Sequence, residues 1–134
     1  MPAESPDLLF VYGTLMPGHL RWGMLEGSAS AWGPASVPGE LWDTGHGWPA
    51  ARFTAGSDRV PGWWVRFAPG VLERRLIAEL DAMEGIGDPP DPGADPYVRR
   101  IVDLAGVGSA WVYHATRVEP GWRRIDRWAG RPEA

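Results

Sequence analysis

The chain has 134 residues, a length that suits one domain around a single core, and its net charge is −4. That charge argues against a nucleic-acid partner, whose affinity rests on clustered cations, and the absence of Cys excludes disulfides and thiolate chemistry. All 13 basic residues are Arg, which removes any lysine Schiff base or lysine nucleophile.

Residues 1–7 are acidic and contain proline, without the basic start and apolar core of a signal peptide. A flexible segment over 1–7 followed by one domain over 8–134 is expected, with the cytoplasm as the default location. The longest apolar runs fall far short of the ~20 residues a membrane helix needs.

Leu8-Leu9-Phe10-Val11-Tyr12 is a continuous apolar run, suiting a strand buried on both faces. It ends in Gly13-Thr14-Leu15-Met16-Pro17-Gly18. A glycine directly after a buried strand lets the backbone turn through a conformation that β-branched residues resist, and leaves N–H groups free for an anion. The loop has neither phosphate-binding glycine pattern, and an ordinary strand-to-loop turn is the plainer account.

Residues 19–25 suit a short helix, with Trp22 and Leu25 on one face and Gly27 as its stop. Residues 30–37, 39–43, 50–54 and 60–68 are expected strands, cut by Gly and Pro. Several short strands in sequence suggest an antiparallel barrel or a strongly curled sheet. Nine Trp residues are unusual; core packing is the bland account, and stacking on a flat ligand the sharper one.

The spacing predicts a helix over 71–83, with Leu72, Leu76, Leu80 and Met83 on one stripe and Ile77 at its edge. Glu84 falls inside that stripe. A carboxylate on an apolar face is costly unless paired or protonated, and the last helical turn favours cations instead. Gly85 is well placed to take the left-handed conformation that ends a helix. Both burial and the helix dipole would raise the pKa of Glu84, as a general base working near neutrality requires. The alternative is a Glu that snorkels to water from a frayed end.

Residues 85–96, GIGDPPDPGADP, must be a loop, and its Asp spacing is not that of a calcium site. A lid over the site or a solvated excursion are both open. Residues 97–104 and 109–116 read as a hairpin. Tyr97, Arg99 and Ile101 share one face of the first strand; Trp111, Tyr113 and Ala115 share one face of the second. His114 alternates with Tyr113 and should look the other way. Three scattered His support neither a zinc site nor a Ser-His-Asp triad. Residues from 118 onward read as solvated surface anchored by Trp122, Ile125 and Trp128.

Val11-Tyr12-Gly13-Thr14-Leu15, Leu80-Asp81-x-x-Glu84-Gly85 and Tyr97-x-Arg99, in that order, resemble the γ-glutamylcyclotransferase-like superfamily, which includes AIG2-like proteins and γ-glutamylamine cyclotransferases. Trp48-Pro49-Ala50 stands where that family has a Tyr-Pro-Ala-like turn. The resemblance implies an α+β fold: a small, antiparallel, barrel-like mixed sheet of about six or seven strands with one main flanking helix. It implies an enzyme that cyclises a γ-glutamyl group to 5-oxoproline and releases an amine or amino acid, with no cofactor and no metal. Glu84 matches the catalytic Glu, and Tyr12, Gly13, Thr14 and Leu15 match the substrate-binding loop. Tyr97 and Tyr113 match pocket tyrosines. Arg99 matches a recurrent Arg, with a substrate carboxylate and Glu84 both open as its partner. The expected partner is a small γ-glutamyl compound, without nucleic acid or membrane; the oligomeric state is left open.

The chain departs from the family at Gly62-Trp63, where many members have Gly-Glu, in the long proline-rich loop, and around Asp126-Arg127-Trp128. These bear on substrate choice. The rival reading is a non-catalytic module that holds an acidic ligand or a sugar in the same pocket.

Overall fold

The computed structural model describes residues 6–129. Part of the expected N-terminal segment, residues 1–5, and the last five residues lie outside the described residues. Asp7 is tied into the fold: its carbonyl accepts from the Phe67 amide at 2.9 Å and its carboxylate from the Gly70 amide at 3.0 Å.

Strand β1 (Leu8–Val11) is buried along its whole length, as its unbroken apolar run requires. It lies at the centre of a five-stranded sheet with order β2-β5-β1-β7-β6, formed with β2 (Ala29–Pro38), β5 (Arg59–Phe67), β6 (Tyr97–Leu104) and β7 (Gly108–Ala115). β1 pairs antiparallel with β5 and parallel with β7, so the sheet is mixed. The outer strands β2 and β6 come into contact, which curls the sheet toward a barrel. A second sheet, ordered β4-β3-β8, is built from β3 (Glu40–Asp43), β4 (Pro49–Arg52) and β8 (Arg123–Ile125).

The fold is α+β, with eight strands among the described residues where about six or seven were expected. The additional one is β8, in a tail expected to be surface. It pairs antiparallel with β3, and its charges meet opposite charges on and near that strand: Arg123 reaches Asp43 at 3.6 Å, and Arg124 reaches Glu40 at 3.6 Å and Asp58, just before β5, at 2.9 Å. Trp128 is buried beyond it, and Trp122 and Ile125 pack against the core.

The second sheet is fastened to the first at β7. The Arg52 guanidinium donates to the Ala115 carbonyl at 2.6 Å, and the Phe53 amide donates to His114 Nδ1 at 3.0 Å. His114 is therefore a buried neutral imidazole on the far face from Tyr113, and desolvation, with Arg100 and Arg52 nearby, lowers its pKa to about 4.

The helix expected over 71–83 forms in two parts. Leu72–Leu76 is a wide turn of π type, closed by the Ile77 amide on the Leu72 carbonyl, and α2 (Ile77–Met83) is α-helical. Leu72, Leu76 and Leu80 are buried, while Met83 and Ile77 are partly so. A shorter helix, α1 (Gly23–Glu26), precedes β2.

Candidate active site

The parallel pairing of β1 with β7 sets both of their C-terminal ends at the same edge of the sheet. Because β6 runs antiparallel to β7, its first residue, Tyr97, lies beside Ala115 at that same edge. A cavity of about 340 Å³ opens there. Its wall includes Tyr12, Gly13, Thr14 and Leu15 from the loop after β1, Tyr97 and Tyr113 from the hairpin, and Glu84 from the end of α2. Seven of the eight residues singled out from sequence thus line one space, and Arg99 lies outside it.

Glu84 is carried to the wall by a well-formed helix stop. Gly85 has a φ of +81°, its amide donates to the Ala82 carbonyl at 3.2 Å, and the Ile86 amide donates to the Asp81 carbonyl at 2.9 Å. These two bonds are the Schellman arrangement, which takes up carbonyls that the helix end leaves over. Glu84 is half-buried, with the cavity on one side. Desolvation raises its pKa to about 7; Arg21 opposes that rise and Asp81 adds to it.

The loop after β1 lies across the cavity. The Met16 amide donates to the Gly13 carbonyl at 3.0 Å, and the Arg21 amide to the Thr14 carbonyl at 2.7 Å, so the loop folds back on itself. The amides of Gly13, Thr14 and Leu15 donate to no other group among the described residues. Successive N–H groups without a protein acceptor beside a cavity are available to negative charge. Gly13 does not owe its place to a left-handed backbone, since its φ is not positive. It is needed for close approach: a Cβ there would sit 2.8 Å from both Cγ and Cδ of Pro49.

The tyrosines are pinned. Tyr97 donates its hydroxyl to the Pro49 carbonyl at 3.2 Å, and Tyr12 donates to the Tyr113 carbonyl at 2.5 Å. Tyr113 donates to Asp81 at 2.8 Å. Burial first, with negative charge from Glu84 or Asp81 adding to it, drives all three phenols far from ionisation. They shape the pocket as neutral groups.

Arg99 forms its ion pair with Asp81 and not with Glu84. Its Nε meets Asp81 at 2.9 Å, and its guanidinium lies 4.5 Å from the centre of the Trp111 ring. It borders a smaller cavity of about 170 Å³ on the other side of Asp81. Asp81 is thus a residue that sequence reasoning quoted within a motif without giving it a task.

Two further wall residues, Arg21 and Trp48, were also not singled out for the site. Arg21 lies in the turns before α1, which starts later than the helix expected over 19–25, and Trp48 lies in a loop where no periodicity marks a face. The loop over 85–96 is drawn together by Asp95, whose carboxylate accepts from the amides of Gly87 at 3.0 Å and Asp91 at 2.8 Å. It contributes Pro96 to the cavity wall. Among the described residues, no helix is long and apolar enough to cross a membrane.

A model of the family described as gamma-glutamyl cyclotransferase, AIG2-like, matches residues 9–129. Gamma-L-glutamyl-butirosin B gamma-glutamyl cyclotransferase from Niallia circulans is 29% identical over 120 residues, which cover 90% of this chain and 74% of that protein. Among solved structures, the protein PH0828 from Pyrococcus horikoshii superposes with a TM-score of 0.63 at 20% identity, over 90% of this chain and 86% of that one. YkqA from Bacillus subtilis gives a TM-score of 0.64 at 22% identity, over 91% of this chain and 39% of that one. These two likenesses concern the fold.

Proposed function

The chain belongs to the AIG2-like gamma-glutamyl cyclotransferase family, and we propose that it cyclises the γ-glutamyl group of a small compound to 5-oxoproline, with Glu84 as general base and then general acid. The observation that carries this reading is the position of Glu84, with its pKa raised to about 7, in the same cavity as the free amides of Gly13, Thr14 and Leu15.

The chemistry follows from those two features. The substrate's α-ammonium must lose a proton before its nitrogen can attack, and its ordinary pKa is about 7.7–8.0. A carboxylate with a pKa near 7 is a far better match for that proton than one near ~4.3. Glu84 takes the proton, and the neutral amine attacks the γ-carbonyl carbon to close a five-membered ring. The carbonyl oxygen becomes an oxyanion that the loop amides stabilise. Glu84 then returns its proton to the departing nitrogen as the old C–N bond breaks, the ionised Glu84 takes the surplus proton of the ring nitrogen and passes it to the freed amine, and 5-oxoproline and an ammonium product leave. Tyr12, Tyr97 and Tyr113 exclude water and confine the glutamyl chain to a folded shape in which nitrogen and carbonyl meet. The scheme asks for no cofactor and no metal.

The test is incubation with γ-glutamyl amines and γ-glutamyl amino acids, with 5-oxoproline and released amine measured together. Equal amounts of both from at least one compound support the reading. Defined binding of such compounds without any 5-oxoproline would leave a non-catalytic binding module instead.

A further inference from the structure

We propose that Arg21 and Trp48 form a leaving-group subsite that favours γ-glutamyl conjugates of aromatic α-amino acids, the guanidinium holding the amino acid's carboxylate and the indole stacking on its side chain. This rests on the cyclotransferase reading of the cavity.

Among the residues lining the cavity Arg21 is the one cation, and Glu84 the one anion. The Arg21 guanidinium makes no ion pair among the described residues. Its backbone is nevertheless fixed, through the amide bond to Thr14, so the side chain starts from a set point beside the loop. A guanidinium with a fixed origin and no ion-pair partner among the described residues is matched by a carboxylate from outside the protein.

Depth decides which carboxylate. Gly13 and Leu15 are buried and Thr14 half-buried, whereas Arg21 is exposed. The loop amides therefore serve the inner end of a bound molecule and Arg21 the end nearer solvent. The glutamyl group must lie inside, against Glu84, while the amine that departs must face the exit. A carboxylate on the departing amine would meet Arg21.

Trp48 lines the same cavity and, like Arg21, keeps contact with solvent, with 44% of its surface exposed. It is held there by a closed turn: both the amide and the hydroxyl of Thr44 donate to the Trp48 carbonyl, at 3.4 and 2.7 Å. The His46 ring lies 5.6 Å away at a tilt of 31° and packs beside it. A large apolar ring fixed half in water at a cavity mouth offers a stacking surface to a flat group. The cavity is at the small end of the ~300–1,000 Å³ range for ligand pockets, a size that suits a dipeptide-like molecule rather than a large conjugate.

The experiment compares γ-glutamyl-phenylalanine with γ-glutamyl-phenethylamine, which differ by the leaving-group carboxylate alone. Because Arg21 lowers the pKa of Glu84, each variant is assayed on the alkaline plateau of its own pH–rate profile, so that loss of the Arg21 charge does not act through the base. For the wild type, kcat/KM should favour the phenylalanine conjugate by about 10- to 100-fold, the scale of one charge-assisted hydrogen-bonded pair. Arg21→Gln should bring that ratio toward one, and Arg21→Lys should restore part of it. Trp48→Ala should reduce the preference for γ-glutamyl-phenylalanine over γ-glutamyl-alanine by about 3- to 10-fold.

Equal loss on both phenyl compounds in Arg21→Gln would assign Arg21 to the glutamyl α-carboxylate and overturn the subsite. A wild type that forms 5-oxoproline without preferring the carboxylate overturns it as well, while the cyclotransferase reading stands. If the wild type forms no 5-oxoproline from any conjugate, both fall together.

Discussion

Tyr113 donates its hydroxyl to Asp81 at 2.8 Å, and Asp81 stands three residues before Glu84 at the end of α2. The same carboxylate receives Arg99 at 2.9 Å. Strand β7 and the helix are therefore joined through one acid whose charge also acts on Glu84, raising its pKa in addition to the larger effect of desolvation. A half-buried acid that both braces the pocket and biases the base is a positioning residue with an electrostatic signature.

Asp81→Asn keeps the shape and removes the charge. Glu84 should then ionise at lower pH, so the acid-side inflection of kcat/KM moves down from about 7. The loss of charge from two hydrogen bonds should cost about 1–2 kcal/mol in urea unfolding. An unchanged inflection in a variant that has lost stability would reduce Asp81 to a brace.

Gly13→Ala tests the loop. The added methyl would press on Pro49, whose carbonyl holds Tyr97, so one methyl strains two walls of the cavity. A stability cost of about 1–3 kcal/mol is expected, as for overpacking elsewhere. The loss in kcat/KM at a temperature where the variant is fully folded should exceed tenfold, about the effect of weakening one oxyanion donor by displacement. Normal kinetics in the folded variant would show that Pro49 yields without moving the loop.

The parts of this site legible in the sequence are those where local rules are either obeyed or broken in a visible way. Residues 8–12 announce a central strand because burial on both faces demands an unbroken apolar run. Glu84 stands out because it sits on an apolar stripe at the wrong end of a helix dipole. Tyr97 and Tyr113 are diagonal neighbours across a hairpin, Tyr97 opposite Ala115 and Arg99 opposite Tyr113, and the alternation fixes their common face.

Other parts leave no such mark. Arg99 shares the face of Tyr97, yet alternation sets only the direction of its Cβ, and a long side chain chooses its partner in three dimensions. It takes Asp81 and the Trp111 ring. Trp48 lies on a loop that no period governs, and Arg21 falls in turns where a helix over 19–25 was expected, off the apolar face that Trp22 and Leu25 mark. Strand β8 has three residues, two of them Arg, and acquires its identity from acids far away in the chain. The wide turn over Leu72–Leu76 keeps the same leucines buried as an α-helix would, so the apolar pattern does not distinguish the two.

Glu84→Gln removes the basic oxygen with little change of shape. Turnover should fall at least ~10²-fold while substrate affinity survives, because the interaction lost is one of the proton-transfer step. Near wild-type turnover would exclude Glu84 as the base.

The same substitution reads the energetics of Glu84 through pH. Its pKa is raised to about 7 in the folded protein, chiefly by desolvation, against ~4.3 for a Glu in an unfolded chain. Below ~4.3 the carboxyl is protonated in both states, and the stability it contributes is fully present. Between that value and about 7 the unfolded chain releases the proton while the folded one retains it, so rising pH favours unfolding. Above about 7 the folded protein holds an ionised, poorly solvated carboxylate, and the contribution has been lost. Other carboxylates titrate in the wild type and the Gln variant alike, so subtracting the two curves of unfolding free energy isolates Glu84. The wild type should lose stability relative to the variant across this window and then run parallel to it. The acid limb of the wild-type pH–rate profile should have its midpoint near the upper end of the same window, since one proton governs both. Curves that stay parallel from pH ~4 to ~8 would mean that Glu84 titrates alike in both states, and a tuned base would no longer explain the activity.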